Sequence, residues 1–173
     1  MIITCILDIC YDWLNVLSSD KQKEILKMQL TFYSDYSLRV LLYLNQMPND
    51  TATIAEISEF YKISKNHLVK VVHRLAQLEF IISTRGKGGG IKLAKNADEI
   101  TIGEVVRKTE PNFNLVECFN EKTNRCVITK VCRLKGILHQ GVDAFFNVLD
   151  QYTIAEGSKS TLKIQIANHL DLK

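Results

Sequence analysis

From Ser64 to Leu93 the chain spells a helix and then a hairpin, and no other stretch narrows its fold so far. Leu68, Val71, Val72, Leu75 and Leu78 fall three and four residues apart, which puts them on one face of a helix. Ahead of them, Thr53-Ile54-Ala55-Glu56 has the form of a capping box, a hydroxyl and a carboxylate that satisfy each other's exposed amides. A short helix is expected from there to about Tyr61, with a brief turn at Lys62-Ile63 and Ser64 as N-cap of the striped helix. Two short helices joined by a tight turn make a helix-turn-helix. Phe80–Thr84 and Gly90–Leu93 then read as strands around the glycine-rich stretch Arg85-Gly86-Lys87-Gly88-Gly89-Gly90. A hairpin directly after the second helix is the wing of a winged helix. The expected fold class is mainly α with a small β-hairpin wing.

The core stripe leaves Lys65, Asn66, Lys70, His73, Arg74 and Gln77 facing outward. Asn and Gln suit adenine edges, Arg suits guanine, and Lys suits the phosphate backbone. In the wing, glycine lets the backbone approach phosphate closely, while Arg85 and Lys87 supply charge. The formal charge of +3 is too mild to point to nucleic acid by itself. Its distribution is more telling: between Lys62 and Lys95, the bases Lys62, Lys65, Lys70, Arg74, Arg85, Lys87, Lys92 and Lys95 face a single acid, Glu79. The expected partner is a double-stranded DNA operator. A nucleotide-binding glycine loop is the competing reading, and it is the weaker one because neither a lysine-serine pair nor a helix opening follows the glycines.

Residues 1–27 stand apart from this domain. Either an extra N-terminal helix or an upstream start codon accounts for them, and the second is preferred because Met28 opens a natural start of its own. From Leu30 to Met47, Tyr33, Leu38, Val40, Leu41, Leu42 and Leu44 cover a wide apolar face, and Pro48-Asn49-Asp50 stops the helix. The winged helix-turn-helix domain is thus placed at 28–97. Thr101-Ile102-Gly103-Glu104 is a second capping box, opening a linking helix in 98–111 that ends near Pro111. After a loop, Val131, Leu134, Leu138, Val142, Phe145, Leu149 and Tyr152 recur mainly three and four residues apart. This heptad-like seam predicts a long dimerisation helix over 131–156, and hence a homodimer. The tail, 157–173, is polar and mixed, and no function is read there.

Cys118, Cys126 and Cys132 lie in the loop 112–132, with gaps of seven and five residues. No run is apolar enough to span a bilayer, and the N-terminus lacks a basic region and carries Asp8 and Asp12, unlike a secretory signal. A cytoplasmic chain with no membrane partner is expected, and there thiols stay reduced. Three clustered thiols then read as metal ligands: thiolates suit an iron–sulfur cluster first and zinc second. Cys5 and Cys10 read as free thiols. An electron-transfer or thiol-redox protein would carry a Cys-x-x-Cys pair or four close cysteines, and neither is present. No acid–base pair or nucleophile triad is legible, so an enzyme is not expected.

The opening Met28-Gln29-Leu30-Thr31 with Asp35, the helix-turn-helix, the wing Gly86-Lys87-Gly88-Gly89-Gly90 and the three cysteines together resemble the Rrf-two-type winged-helix regulators of bacteria. The likeness covers roughly Met28 to Glu156. It implies a homodimeric transcriptional repressor carrying one iron–sulfur cluster per subunit, 4Fe–4S in preference to 2Fe–2S. The seven-residue first gap, and Lys135 rather than His three residues after Cys132, resemble the family's nitric-oxide-sensing branch and not its cluster-biogenesis branch. The implied signal is nitric oxide. The alternatives are a regulator of the same family sensing cluster supply, iron or peroxide, and a zinc-stabilised interaction protein. In the family branch the fourth cluster ligand is a carboxylate near the partner's N-terminus, and the matching position is Asp35. By its residues alone, Asp35 reads equally well as an acid at a helix start, held by the dipole. His139 can share a helix face with Cys132, and reads as a solvent or interface histidine.

Overall fold

A computed structural model describes residues 29–47, 51–84, 86, 89–158 and 160–171. The extension 1–27, the Pro48-Asn49-Asp50 stop, and the wing residues Arg85 and Lys87 lie outside the described residues.

Helix α1 (Phe32–Leu44) is capped by Thr31, whose hydroxyl accepts the Ser34 N–H. It buries Val40, Leu41, Tyr43 and Leu44 in the core. Helix α2 (Ile54–Tyr61) opens with the complete capping box: the Thr53 hydroxyl accepts the Glu56 N–H, and the Glu56 carboxylate accepts the Thr53 N–H. The chain leaves α2 through Lys62 in the left-handed conformation, φ 56°. Ser58 holds this turn twice, its hydroxyl donating to the Ile63 carbonyl at 2.6 Å and its carbonyl accepting the Ile63 N–H at 3.1 Å. Helix α3 (Lys65–Gln77) follows, with Leu68, Val71, Val72 and Leu75 buried and Leu78 half-buried. Ser64 is its N-cap residue, but the hydroxyl makes no capping bond. The Ser64 carbonyl alone receives the first amides, those of His67 and Leu68.

Strands β1 (Ile81–Thr84) and β2 (Gly90–Leu93) pair antiparallel, Ile81 opposite Leu93 and Thr84 opposite Gly90. On its far side β2 exchanges two 2.8 Å hydrogen bonds between Ile91 and Ala52, which ties the hairpin to the entry of α2. Gly90 permits this approach, since a Cβ there would stand 3.0 Å from the Ala52 carbonyl oxygen.

Helix α4 (Ile102–Thr109) carries only half of the expected capping box. The Thr101 hydroxyl accepts the Glu104 N–H, but the Glu104 carboxylate is drawn away to Lys108 at 2.7 Å and Lys95 at 3.4 Å. The arm is also shorter than the 131–156 helix expected. Helix α5 runs from Arg133 to Leu149, and a one-turn helix α6 (Ile154–Gly157) starts afresh from a capping box between Thr153 and Glu156. That helix-start signal sits inside the apolar seam and breaks it. Around the break, the Ile102 N–H donates to the Tyr152 carbonyl and the Ile154 N–H to the Ile100 carbonyl, both at 2.9 Å. Arg107 grips Asp150 through two 2.6 Å hydrogen bonds. The C-terminal end of α5 is therefore fastened to α4.

The tail forms helix α7 (Ser160–Asp171), with Ile166 buried and Leu162 and Leu170 against the core. Its stripe, one apolar residue every four, is short enough to be lost among polar neighbours. Every helix but α5 places side chains in or against one apolar core, as does the hairpin. On α5 only Phe146 is buried, edge-on to Phe113 at 4.6 Å and beneath the Arg107 guanidinium at 4.1 Å. Among the described residues, no helix is long and apolar enough to cross a membrane.

Candidate functional site

The chain crosses from α4 to α5 through the cysteine loop. Cys118 sits in a 3-10 turn (Glu117–Phe119) and is only 8% exposed, Cys126 is half-buried, and Cys132 is the residue from which α5 begins. All three are free thiols, and all three line one cavity of about 220 Å³. Val116, Ile128, Leu134 and Leu138 supply apolar wall, and Glu117 and Lys135 complete the lining. Among the described residues, no three His, Cys, Asp or Glu side chains converge closely enough to hold a single metal ion. The thiols share a cavity without being drawn to one point.

This donor set fits an iron–sulfur cluster: three soft sulfurs, largely apolar walls, and at Cys132 a helix start whose unpaired amides favour negative charge. Zinc would need a fourth sulfur or nitrogen in a closed site. His139 does not line the cavity. Its ring stacks on Phe119, with centroids 3.9 Å apart and planes within 4°, so the arm and the Cys118 turn are clasped together.

Three polar side chains that escaped the sequence reading shape the loop. The Glu117 carboxylate accepts the Arg125 N–H at 2.6 Å, the Asn124 side-chain oxygen accepts the Cys126 N–H at 3.0 Å, and the Thr129 hydroxyl donates to the Cys126 carbonyl at 2.7 Å. Of these, only Asn124 left a local signal, an Asn two residues ahead of the amide it binds.

Asp35 lies in the first turn of α1 and pairs with Arg39, whose guanidinium donates at 2.9 and 2.7 Å. It does not line the cavity of its own subunit. Beside it is a polar joint. Glu110 accepts both the Thr31 N–H, at 2.6 Å, and the Thr31 hydroxyl, at 3.1 Å, while the buried hydroxyls of Ser34 and Thr109 are 2.8 Å apart. The end of α4, from which the cysteine loop departs, is thereby bolted to the start of α1.

On α3, Lys65, Asn66, Lys70, His73, Arg74 and Gln77 are all exposed on one surface. Gln77 links to His73 at 3.2 Å and to Arg74 at 3.5 Å. Neighbouring aromatics widen this face: the Tyr33 hydroxyl donates to the Lys70 carbonyl at 3.3 Å, and Tyr36 stacks with the exposed His67. Burial raises the Tyr33 phenol above its ordinary range, with Arg74 pulling the other way.

Helix α5 splits its expected seam. Leu138, Val142, Phe145 and Leu149 are half-covered by their own chain, whereas Leu134, Ile137 and Val148 stay more than half exposed, with Gly141 and Ala144 completing the stripe. Apolar spacing alone does not say which side of such a helix meets its own domain.

The Rrf2 family profile, described as an iron-dependent transcriptional regulator, matches residues 30–157. An HTH-type transcriptional regulator NsrR from Bacillus subtilis is 52% identical over 130 residues, which cover 75% of this chain and 89% of that protein. The regulator of the same name from Shouchella clausii is 51% identical over 130 residues, covering 75% of this chain and 87% of that one. Among solved structures, the oxidised form of Staphylococcus aureus CymR superposes with a TM-score of 0.60 at 23% identity, over 76% of this chain and 97% of that one. T. potens IscR superposes with a TM-score of 0.58 at 20% identity, over 76% and 87%.

Proposed function

Because the chain belongs to the Rrf2 family of transcriptional regulators, we propose that it is a homodimeric repressor whose operator affinity depends on an iron–sulfur cluster held by Cys118, Cys126 and Cys132. The signal we assign is nitric oxide, as the name shared by its half-identical relatives suggests. The observation that carries the reading is the single cavity onto which all three thiols open.

When bound, the cluster supplies iron that reacts with nitric oxide and a cross-link between the three thiolates, 4Fe–4S being preferred. The rest is done by the chain. The loop Cys118–Cys132 joins α4 to α5, and α4 is bolted to α1 through Thr109, Glu110, Thr31 and Ser34. Without a bound group tying Cys118, Cys126 and Cys132 together, the N-terminal end of α5 would be freer to shift, since its other end stays fastened by Arg107–Asp150 and the Thr153 turn. In a dimer built on the exposed Leu134–Ile137–Val148 stripe, that end sets the spacing of the two α3 helices. Half-sites one helical turn apart tolerate little change in that spacing. A hundredfold response requires the two forms to differ in DNA affinity by ~2.7 kcal/mol. DNA contact is assigned to Lys65, Asn66, Lys70, His73, Arg74 and Gln77, with Arg85 and Lys87 in the wing. The fourth ligand is assigned to Asp35 of the partner subunit. Its exposed ion pair with Arg39 belongs to a class worth only ~0–1 kcal/mol, so ligation would not be blocked by it.

Anaerobic purification followed by iron and sulfide assay tests this reading. Iron and sulfide should be present in the unmodified protein and absent from Cys118→Ala, Cys126→Ala and Cys132→Ala, each of which should keep its helical signal and lose operator affinity. Zinc without sulfide would replace the cluster reading, and full iron and sulfide in all three variants would sink the ligand assignment. Asp35→Ala should retain iron but change the visible spectrum and lose the cluster faster in air. An unchanged spectrum removes Asp35 from the site.

A further inference from the structure

We propose that Glu117 is a positioning residue for the cysteine cavity, and that its carboxylate presents Cys126 beside Cys118 by capturing the Arg125 amide. The inference rests on the cluster reading above and extends it to a residue that holds no metal. Glu117 immediately precedes Cys118, and Arg125 immediately precedes Cys126. The 2.6 Å bond between them therefore closes the seven-residue gap at its two ends, and sets how far apart the two thiols stand. A carboxylate accepting a backbone N–H is among the stronger hydrogen bonds a loop can make. Asn124 and Thr129 fix the turn around Cys126, and their bonds stay within that turn. Glu117 reaches back to the Cys118 turn. Phe119 then clasps that turn to α5 through His139, so the chain on both sides of Cys118 is anchored.

Glu117 also lines the cavity, which raises a rival role as an iron ligand from the same subunit. The two roles make opposite demands. A positioning residue needs only an oxygen that accepts the Arg125 N–H, and a glutamine supplies one. A ligand needs the carboxylate charge.

The test uses the full chain and compares Glu117→Ala with Glu117→Gln. In reduced, cluster-free protein, hydrogen exchange at the Arg125 amide should be slow in the unmodified chain and in Glu117→Gln, and fast in Glu117→Ala, with unchanged circular dichroism. After anaerobic reconstitution with iron and sulfide, Glu117→Ala should lose its visible absorbance in air roughly tenfold faster, the lower end of what loss of a ligand-orienting partner does to metal affinity. Glu117→Gln should stay within about twofold of the unmodified chain, the same bond being weaker but in place. Equal Arg125 exchange in all three proteins overturns the proposal. So does a Glu117→Gln protein that fails as badly as Glu117→Ala with an altered spectrum, because Glu117 is then a ligand. If the unmodified chain takes up no iron and sulfide, the cluster reading falls, and the exchange experiment still decides whether Glu117 shapes the loop.

Discussion

Replacing Thr109 with Val keeps the packing shape of a residue only 7% exposed and removes its hydroxyl. That hydroxyl has one proton and two acceptors at 2.8 Å, the Ser34 hydroxyl and the Val105 carbonyl. Both can be satisfied if Ser34 donates to Thr109 and Thr109 donates to Val105. With Val at position 109, the fully buried Ser34 hydroxyl has Thr31 Oγ1 as its remaining side-chain neighbour, at a long 3.4 Å. A buried polar group left without a good partner costs ~1–3 kcal/mol. For a chain of this size that corresponds to a melting temperature lower by roughly 2–12 °C. Ser34→Ala should cost less, ~0.5–1.5 kcal/mol, because Thr109 still donates to Val105. The double variant should be less destabilised than the two singles summed, since no orphaned hydroxyl remains. Urea unfolding of cluster-free, reduced protein measures all three. Additivity within the ~0.5 kcal/mol expected of independent sites, or a Ser34→Ala loss exceeding that of Thr109→Val, would refute the hydroxyl relay between α1 and α4.

Leu134→Glu and Ile137→Glu, on the exposed stripe of α5, should convert dimer to monomer in sedimentation while leaving the monomer's helical signal intact, and a stable dimer in both would move the interface elsewhere. Lys70→Ala should weaken binding to all DNA sequences and flatten the salt dependence by about 0.9 units of slope for a lost phosphate contact, whereas Arg74→Ala should relax preference at one operator position; an unchanged slope would take Lys70 off the backbone. Alkaline pH should destabilise the core. Burial pushes the Tyr43 phenol up to about 12, and does the same for Tyr61 against the pull of Arg39. The folded chain thus holds these protons more tightly than the unfolded chain, whose tyrosines titrate near ~10, so their contribution is whole below that pH and is lost as pH rises toward 12. The urea midpoint should fall across that window, and a flat midpoint there would contradict the burial of these phenols.

What the sequence disclosed and what it hid divide along a physical line. The signals read correctly were local: the Thr53–Glu56 box, the stripe of α3, and the strands flanking the glycines all follow from periodicity and capping, although the equally local Thr153–Glu156 box went unread because it sits inside the apolar seam. Features set by a distant partner were not. Thr101–Glu104 has the letters of a capping box, yet its carboxylate goes to Lys108, one turn along the same helix, and to Lys95 from outside the helix. The α5 seam has one period and two customers, its own domain and the exposed side, and only folding shows that Leu138 turns inward while Ile137 does not. The cysteine spacing points to soft-metal ligands, but a loop without a period cannot say whether three sulfurs share a cavity. That depends on the Glu117–Arg125 bond across eight residues and on the stacking of Phe119 against His139. The same contacts explain why a change in the loop need not dissipate there. Its upstream end leaves from α4, which is held by the Ser34–Thr109 and Thr31–Glu110 bonds to the start of α1, and Tyr33 of α1 touches the backbone of α3 at Lys70. Rearrangement of Cys118–Cys132 would therefore pass along the chain to α4, across these bonds to α1, and on to the face that carries Asn66, Lys70 and Arg74, and the Thr109→Val variant removes one of the two joints between α4 and α1.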